Sequence, residues 1–354
     1  MGKVLTSGER RAVEALLGGP VDDEEIVWER AHVVRVRTAS GHAIVKRPRA
    51  EEEGRSSFLA ELVGLEFLAA MPGNPAPALF GADVEVGRAE ADLIAYARSL
   101  AAVHKWSIDQ EHRFRALRLR VGLPVDGRVR WTALAAAGVP GLRAVAIELG
   151  VDVPASFDDE CGVVVEHLGG DGGWRGLVHG DPCPDNVRFT TDGVRIFDLE
   201  HAGYGSVVLD ASYLIAPFPT CWCIGHIPPE ISGQALDAYR QVLDVAADEE
   251  WRDALSAGLA AWTLARGHVI AKAVVADGTW GTTTMRPRLL QWMEAFLTAT
   301  PPDGCFAGLR YVVAGIRQCL GAAWPDVQLG SYPALASTGG PDAVAPPDWW
   351  QPSS

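Results

Sequence analysis

The stretch Leu177 to Glu200, LVHGDPCPDNVRFTTDGVRIFDLE, constrains this chain more than any other. Its second half predicts a β-hairpin, with Asn186–Thr190 as one strand, Thr191-Asp192-Gly193 as a tight loop and Val194–Asp198 as the return. Gly193 stands where a positive φ is favoured, a region glycine reaches without a Cβ penalty. A three-residue loop puts Thr190 opposite Val194, and so Asn186 opposite Asp198. Opposed residues share one face, with Cβ atoms about 4.5–5.5 Å apart. An amide oxygen and a carboxylate held this way make half a site for a hard cation. Mg2+ takes oxygen ligands, keeps several waters and completes its shell with phosphate oxygens. Asp181 lies five residues before Asn186, in a Pro-rich loop that cannot be regular helix, and brings a third oxygen-bearing side chain to the same end. The plainer alternative is an Asx-turn at Asp185 among ordinary exposed polar residues.

Upstream, Ser7–Leu17 reads as a short amphipathic helix. His32–Thr38 and His42–Lys46 read as two strands joined by Ala39-Ser40-Gly41, a hairpin-length loop containing Gly. A helix follows over about residues 56–70, with Phe58, Leu62, Leu65 and Leu68 on one stripe. Glu61 falls inside that stripe. A buried carboxylate costs several kcal/mol unless paired, so Glu61 either reaches solvent or meets a cation, and Lys46 is the nearest on offer. After Met71-Pro72-Gly73-Asn74-Pro75 the pattern turns helical. Helices are expected at Ala89–Trp106, Ser232–Leu243, Glu249–Val275 and Arg288–Thr298, around a β-like stretch from Gly176 to Glu200. The expected domains are a small β-rich N-lobe over residues 1–87 and a larger helical C-lobe over 88–336 carrying one hairpin. A Pro/Gly/Ser-rich tail over 337–354 follows. Substrates commonly bind between such lobes.

His179-Gly180-Asp181-Pro182-Cys183-Pro184-Asp185-Asn186, followed by Phe197-Asp198-Leu199-Glu200, resembles the H-G-D-x-x-x-x-N and D-x-E/D signatures of the aminoglycoside phosphotransferase and choline kinase-like family. These are small-molecule kinases. The resemblance implies an α+β, protein-kinase-like two-lobe fold, with ATP or GTP as co-substrate and Mg2+ as cofactor. It implies that Asp181 accepts the proton of an attacking hydroxyl, and that Asn186 and Asp198 hold Mg2+. Lys46 would grip the α- and β-phosphates, oriented by Glu61. Phosphoryl transfer needs charge neutralisation and in-line positioning more than covalent help, and this layout suits that.

Several roles stay open on the sequence. His179 is either a brace bonding backbone near the metal pair or a participant in catalysis. Glu200 is either a partner behind the metal ligands or a solvent-facing strand residue. Asp210 either braces the catalytic loop or caps a helix. Cys183 reads as inert. No G-x-G-x-x-G precedes the Lys46 strand; Arg30, in Ile26–His32, either supplies charge to the phosphates or is an ordinary surface cation. Residues 79–87 leave little room for a fifth strand and a hinge. The acceptor walls are sought in Ala216–Trp222 and around Trp262, Arg266 and His268.

With 31 Lys+Arg against 45 Asp+Glu, the net charge of −14 excludes general affinity for nucleic acid and suits a small cationic or polar substrate, although solubility alone also explains it. No apolar run is long enough to span a membrane. The six cysteines lack metal-finger spacing, and reduced thiols in a cytoplasmic monomer or homodimer are expected. The leading reading is a Mg-dependent O-phosphotransferase moving the γ-phosphate of ATP or GTP to a small molecule, with an aminoglycoside or other antibiotic among the candidate acceptors. The alternative is a kinase-like binding or scaffold protein without catalysis, which the short hinge favours.

Overall fold

The computed structural model describes residues 5–26, 33–39, 41–46, 60–61, 63–65, 67–68, 70–71, 89–125, 130–169, 174–190, 193–221, 224–281 and 283–332. Helix α1 (Ser7–Leu17) begins at a capping box. The Thr6 hydroxyl accepts from Glu9 N, and the Glu9 carboxylate accepts from Thr6 N at 2.7 Å. Strands β1 (Val21–Ile26), β2 (Val33–Thr38) and β3 (Gly41–Lys46) follow as an antiparallel meander. Alternation sets β2: Val34 and Val36 are 0% exposed, while Arg35 and Arg37 face solvent. With Leu5, Val13 and Val21 these valines form a small apolar cluster distinct from the main core.

The sequence reading gives two strands here and the structure has three. The segment VDDEEI of β1 lacks an apolar alternation because Glu24 takes an inward place. Its carboxylate accepts from Leu5 N at 2.8 Å and from the Arg10 guanidinium, so the buried charge is compensated.

Residues 60–61, 63–65 and 67–68 are helical. Val63, Phe67 and Leu68 are buried in the main core and Leu65 packs partly against it. Of the expected stripe Leu68 is buried and Leu65 packs on the core, while Phe58 and Leu62 lie outside the described residues; Val63 and Phe67 extend the inward face. Glu61 is half-buried beside that face.

Helices α2 (Ala89–Ser107), α3 (Glu111–Arg120), α4 (Arg130–Glu148) and α5 (Phe157–Gly169) precede strand β4 (Arg175–Val178). Strands β5 (Val187–Thr190) and β6 (Gly193–Ile196) form the hairpin. Strand β7 (Gly203–Ser206) then returns to pair antiparallel with β4, a second pairing beyond the single hairpin expected. The short helix α6 (Val208–Ala211) leads to α7 (Pro229–Leu243), α8 (Glu249–Ala265) and α9 (Gly267–Val275). The two-residue strands β8 (Thr279–Trp280) and β9 (Thr283–Thr284) precede α10 (Met285–Ala299) and α11 (Ala307–Ala323).

Every residue of α8 from Ala254 to Ala265 is buried, which makes it the central helix of this part. The expected single helix over Glu249–Val275 breaks at Arg266, and the reason is packing. Helix α4 crosses so closely that a Cβ at Gly138 would lie 1.7 Å from Leu264 O, and one at Gly267 would lie 2.1 Å from Gly138 O. Helix α11 was not expected, although Leu309, Val312, Val313, Ile316 and Leu320 recur at helical spacing and are all buried. Among the described residues no helix is long and apolar enough to cross a membrane.

Candidate active site

Strand β4 ends at Val178 and hands the chain to His179. Gly180 then turns at φ 79°, and a Cβ there would sit 2.7 Å from His201 O, so only glycine fits. Asp210, on α6 and 0% exposed, holds this turn from behind. Its Oδ2 accepts from His179 N at 2.6 Å and its Oδ1 from Gly180 N at 3.0 Å. His104 Nε2 lies 3.2 Å from Oδ2, and Tyr239 OH lies 2.6 Å from His104 Nδ1. A carboxylate can only accept, so Nε2 carries the proton and Nδ1 accepts from the tyrosine. Burial, and after it the charge of Asp210, raise Tyr239 well above the usual phenol range, so it remains a donor. Asp210 caps nothing: Val207 is the N-cap of α6, and the Asp210 carboxylate faces the loop.

His179 is 3% exposed and braces from the other side. Its Nε2 is 2.8 Å from Phe197 O, and its Nδ1 accepts from Asp181 N at 3.2 Å. The ring therefore ties the catalytic loop to the end of β6. Two further side chains hold loop carbonyls, Tyr96 OH donating to Pro182 O at 2.6 Å and Trp131 Nε1 donating to Gly180 O.

Asp181 itself is half-buried. Its Oδ1 accepts from Thr220 Oγ1, and from Cys183 Sγ at 2.8 Å. Tyr213 OH donates in turn to Thr220 Oγ1 at 2.6 Å. Burial, and after it the Asp181 charge, raise the Tyr213 phenol well above its usual range. Burial also pushes the Cys183 thiol up, so the Tyr213 phenol and the Cys183 thiol both stay protonated and able to donate, one to Thr220 and the other to Asp181.

The hairpin corrects one expectation. Val187 pairs with Ile196 and Thr190 with Gly193, so the loop holds two residues and Asn186 does not face Asp198 across a ladder. Gly193, at φ 110°, already belongs to the returning strand. Asn186 closes a 3-10 turn, Pro184–Asn186, and its carbonyl accepts from Phe197 N at 3.0 Å. Asp198 follows Phe197 in a left-handed conformation, φ 65°. The two residues thus flank the same end of the hairpin by a backbone route rather than as a cross-strand pair. The Asn186 side chain donates Nδ2 to Asp181 O at 2.8 Å.

Glu200 lies in the 3-10 turn Leu199–His201, not on a strand, and its carboxylate is 3.7 Å from His201 Nε2. Lys46 ends β3, its backbone paired with Val33. The Lys46 side chain, Arg30, residues 79–87, Trp222 and the tail lie outside the described residues. Trp262 is no acceptor wall. It is 0% exposed and donates from Nε1 to Ser212 Oγ at 2.7 Å. Arg266 is wedged among Trp131, Trp280 and Trp292, within 5.2–5.6 Å of each ring centre, and burial lowers its pKa. Sequence reasoning missed His104, Tyr213 and Tyr239, whose roles depend on partners distant in the chain or on a neighbour's contacts. It passed over Thr220 inside the PFPT segment without assigning it a role.

Residues 28–268 match the sequence model of the phosphotransferase enzyme family, APH. The chain belongs to that family. This is the family that the H-G-D…N and D-x-E signatures resemble, and the chain is accordingly a small-molecule kinase with an α+β, protein-kinase-like two-lobe fold. No curated protein matches the chain. Among solved structures, this family member is similar to an aminoglycoside-3'-phosphotransferase of type VIII. The identity is 22% and the TM-score 0.42, over 73% of this chain and 98% of that one. It is also similar to the choline kinase LicA from Streptococcus pneumoniae, at 12% identity and TM-score 0.45, over 82% and 97% of the two chains. The gentamicin complex of APH(2")-IIa gives 15% identity and a TM-score of 0.46, over 86% and 99%. The family assignment rests on the sequence match rather than on these superpositions.

Proposed function

We propose that this phosphotransferase moves the γ-phosphate of ATP or GTP to a hydroxyl of a small cationic molecule, in a Mg2+-dependent reaction in the cytoplasm. Aminoglycosides and other hydroxylated antibiotics are the first acceptors to try, and the net charge of −14 favours a cation. The observation that supports this reading most is the fixing of Asp181. Its loop is pinned by Asp210 and His179, and its Oδ1 is held by Thr220 and Cys183. That leaves Oδ2 to take the hydroxyl proton as the oxygen attacks. A carboxylate need only be within reach as that proton becomes acidic. His179 has both ring nitrogens engaged, so in this reading it positions Asp181 and moves no proton of the substrate.

The donor chemistry fits Mg2+. Asn186 has committed its Nδ2 to Asp181 O, which leaves Oδ1 as its ligand atom. Asp198 supplies a carboxylate from the turn just past β6. Bound by that oxygen pair, Mg2+ would neutralise charge on the nucleotide phosphates. Lys46, oriented by Glu61, would grip the α- and β-phosphates, and Arg30 would add charge beside them.

Asp181→Asn tests the base directly. Turnover should fall by at least about 10²-fold while the melting temperature is kept, since base catalysis contributes about 10²–10⁴-fold. Activity is read as Mg-dependent release of nucleoside diphosphate across a panel of hydroxylated amines and antibiotics. A variant that phosphorylates an identified acceptor at the wild-type rate overturns the assignment of Asp181.

A further inference from the structure

Cys183, which helps to hold Asp181, lies close to a second thiol, Cys221. Neither Cys183 nor Cys221 is in a disulfide, and both are buried. The Sγ of each, together with a carboxylate oxygen of Asp185, lie within 4.8 Å of one another. Cys221 Sγ is 3.7 Å from Asp185 Oδ1. Two separate segments supply the donors, and backbone bonds anchor each. Cys183 and Asp185 sit on the 3-10 turn, where Asn186 N donates to Cys183 O at 2.9 Å. Cys221 closes a turn onto Phe218 O at 3.0 Å, and its carbonyl accepts from the buried Arg288 guanidinium at 2.6 Å.

Donors around a tetrahedral Zn2+, at about 2.3 Å for sulfur and about 2.0–2.2 Å for carboxylate oxygen, stand roughly 3.5–3.8 Å from one another. The Cys221–Asp185 separation already meets that, and the other two lie within 4.8 Å. Two sulfurs and one carboxylate select a borderline-soft ion and disfavour Mg2+, which takes oxygen.

We propose that Cys183, Asp185 and Cys221 form a site for a thiophilic divalent cation of the Zn2+ type, separate from the Asn186–Asp198 pair, with the fourth tetrahedral position left to water. Binding forms two metal–sulfur bonds and one metal–oxygen bond. The two thiol protons leave to solvent, so no oxidant or reductant enters. The site goes beyond the kinase reading, and its occupancy is read without turnover. Metal binding would take the Sγ–H that Cys183 donates to Asp181 and leave Thr220 as the donor on Oδ1.

Co2+ added to the reduced full-length protein is the probe. One equivalent should bind with thiolate-to-cobalt charge-transfer absorption and the intense visible bands of a tetrahedral ion. Zn2+ should bleach those bands, and excess Mg2+ should leave them. Cys183→Ser and Cys221→Ser should each cut the charge-transfer absorption by about half or more, whereas Cys305→Ser, at an exposed cysteine, should keep it. Asp185→Asn leaves both thiols in place and should weaken Co2+ binding roughly tenfold or more. It therefore tests the ligand set even if a cysteine variant fails to fold. The proposal is overturned by a wild-type protein without thiolate absorption. A band undiminished in both cysteine variants, or an Asp185→Asn protein that binds Co2+ as tightly as wild type, overturns it equally.

Discussion

In the N-terminal sheet, β2 is placed by apolar alternation, with Val34 and Val36 turned inward and Arg35 and Arg37 outward. Around the catalytic loop, the backbone N–H groups of His179 and Gly180 are placed by one fully buried carboxylate, Asp210, itself tied to His104 and Tyr239. Apolar burial is non-directional and tolerates exchange of one hydrophobe for another of similar size. A buried polar network works only when every member is satisfied, and then it specifies one geometry. The difference separates a part that must merely hold a strand in register from a part that must hold one carboxylate in place.

Asp210→Ala should show the largest effect. It leaves two loop N–H groups and His104 without their acceptor, and destabilisation of about 3 kcal/mol or more is expected, at about 1–3 kcal/mol per orphaned group. Urea denaturation and turnover should both collapse. A stable, active variant would mean that the loop holds its shape without the network, and the contrast with the sheet would disappear.

Gly180→Ala should come next. It forces a Cβ into a left-handed position and against His201 O, at 2.7 Å in the present geometry. A cost of about 1–3 kcal/mol is expected, together with a loss of kcat from displacement of the adjacent Asp181. If kcat is unchanged, the loop tolerates movement that the reading of Asp181 forbids.

Val36→Ala should cost about 2 kcal/mol, within the range for burying a branched aliphatic side chain. Hydrogen exchange should quicken in β1–β3 and not in β4 or β7, because the valine belongs to the small cluster. Uniform quickening across both regions would show that the two cores unfold together.

Arg35→Ala should do least. Its partner Glu25 and Arg35 itself are about half exposed, at 59% and 49% of their side-chain surface. Such pairs are worth about 0.2–1 kcal/mol, and the midpoint of denaturation should barely move.

How much of this was legible in the sequence depended on how each element is held. Helices α1, α2, α7 and α10 were readable to within a turn or so because one apolar face repeats at helical spacing. Strand β1 was not, because its inward Glu24 is satisfied by Leu5 N and by Arg10 on α1, neither of which strand periodicity reveals. The break at Arg266 was invisible for a similar reason. It answers the backbone of α4 passing Gly138, and nothing in the periodicity of α8 and α9 announces that contact. In the site, the motif named Asp181, Asn186 and Asp198. The register between them was read one residue too long, since Gly193 could serve equally as the last loop residue or the first strand residue.

The family, the order of the motif residues and the chemistry they can support were written in the chain, because glycine, carboxylate and amide carry their capabilities wherever they stand. Tertiary structure alone decided that Asp210 faces the loop rather than capping a helix, that Thr220 and Cys183 share one oxygen of Asp181, and that Cys221 comes to rest beside Cys183. Apart from the Cys183 contact, those outcomes depend on hydrogen bonds and packing between residues some thirty to one hundred positions apart, and a local pattern carries no record of distant partners.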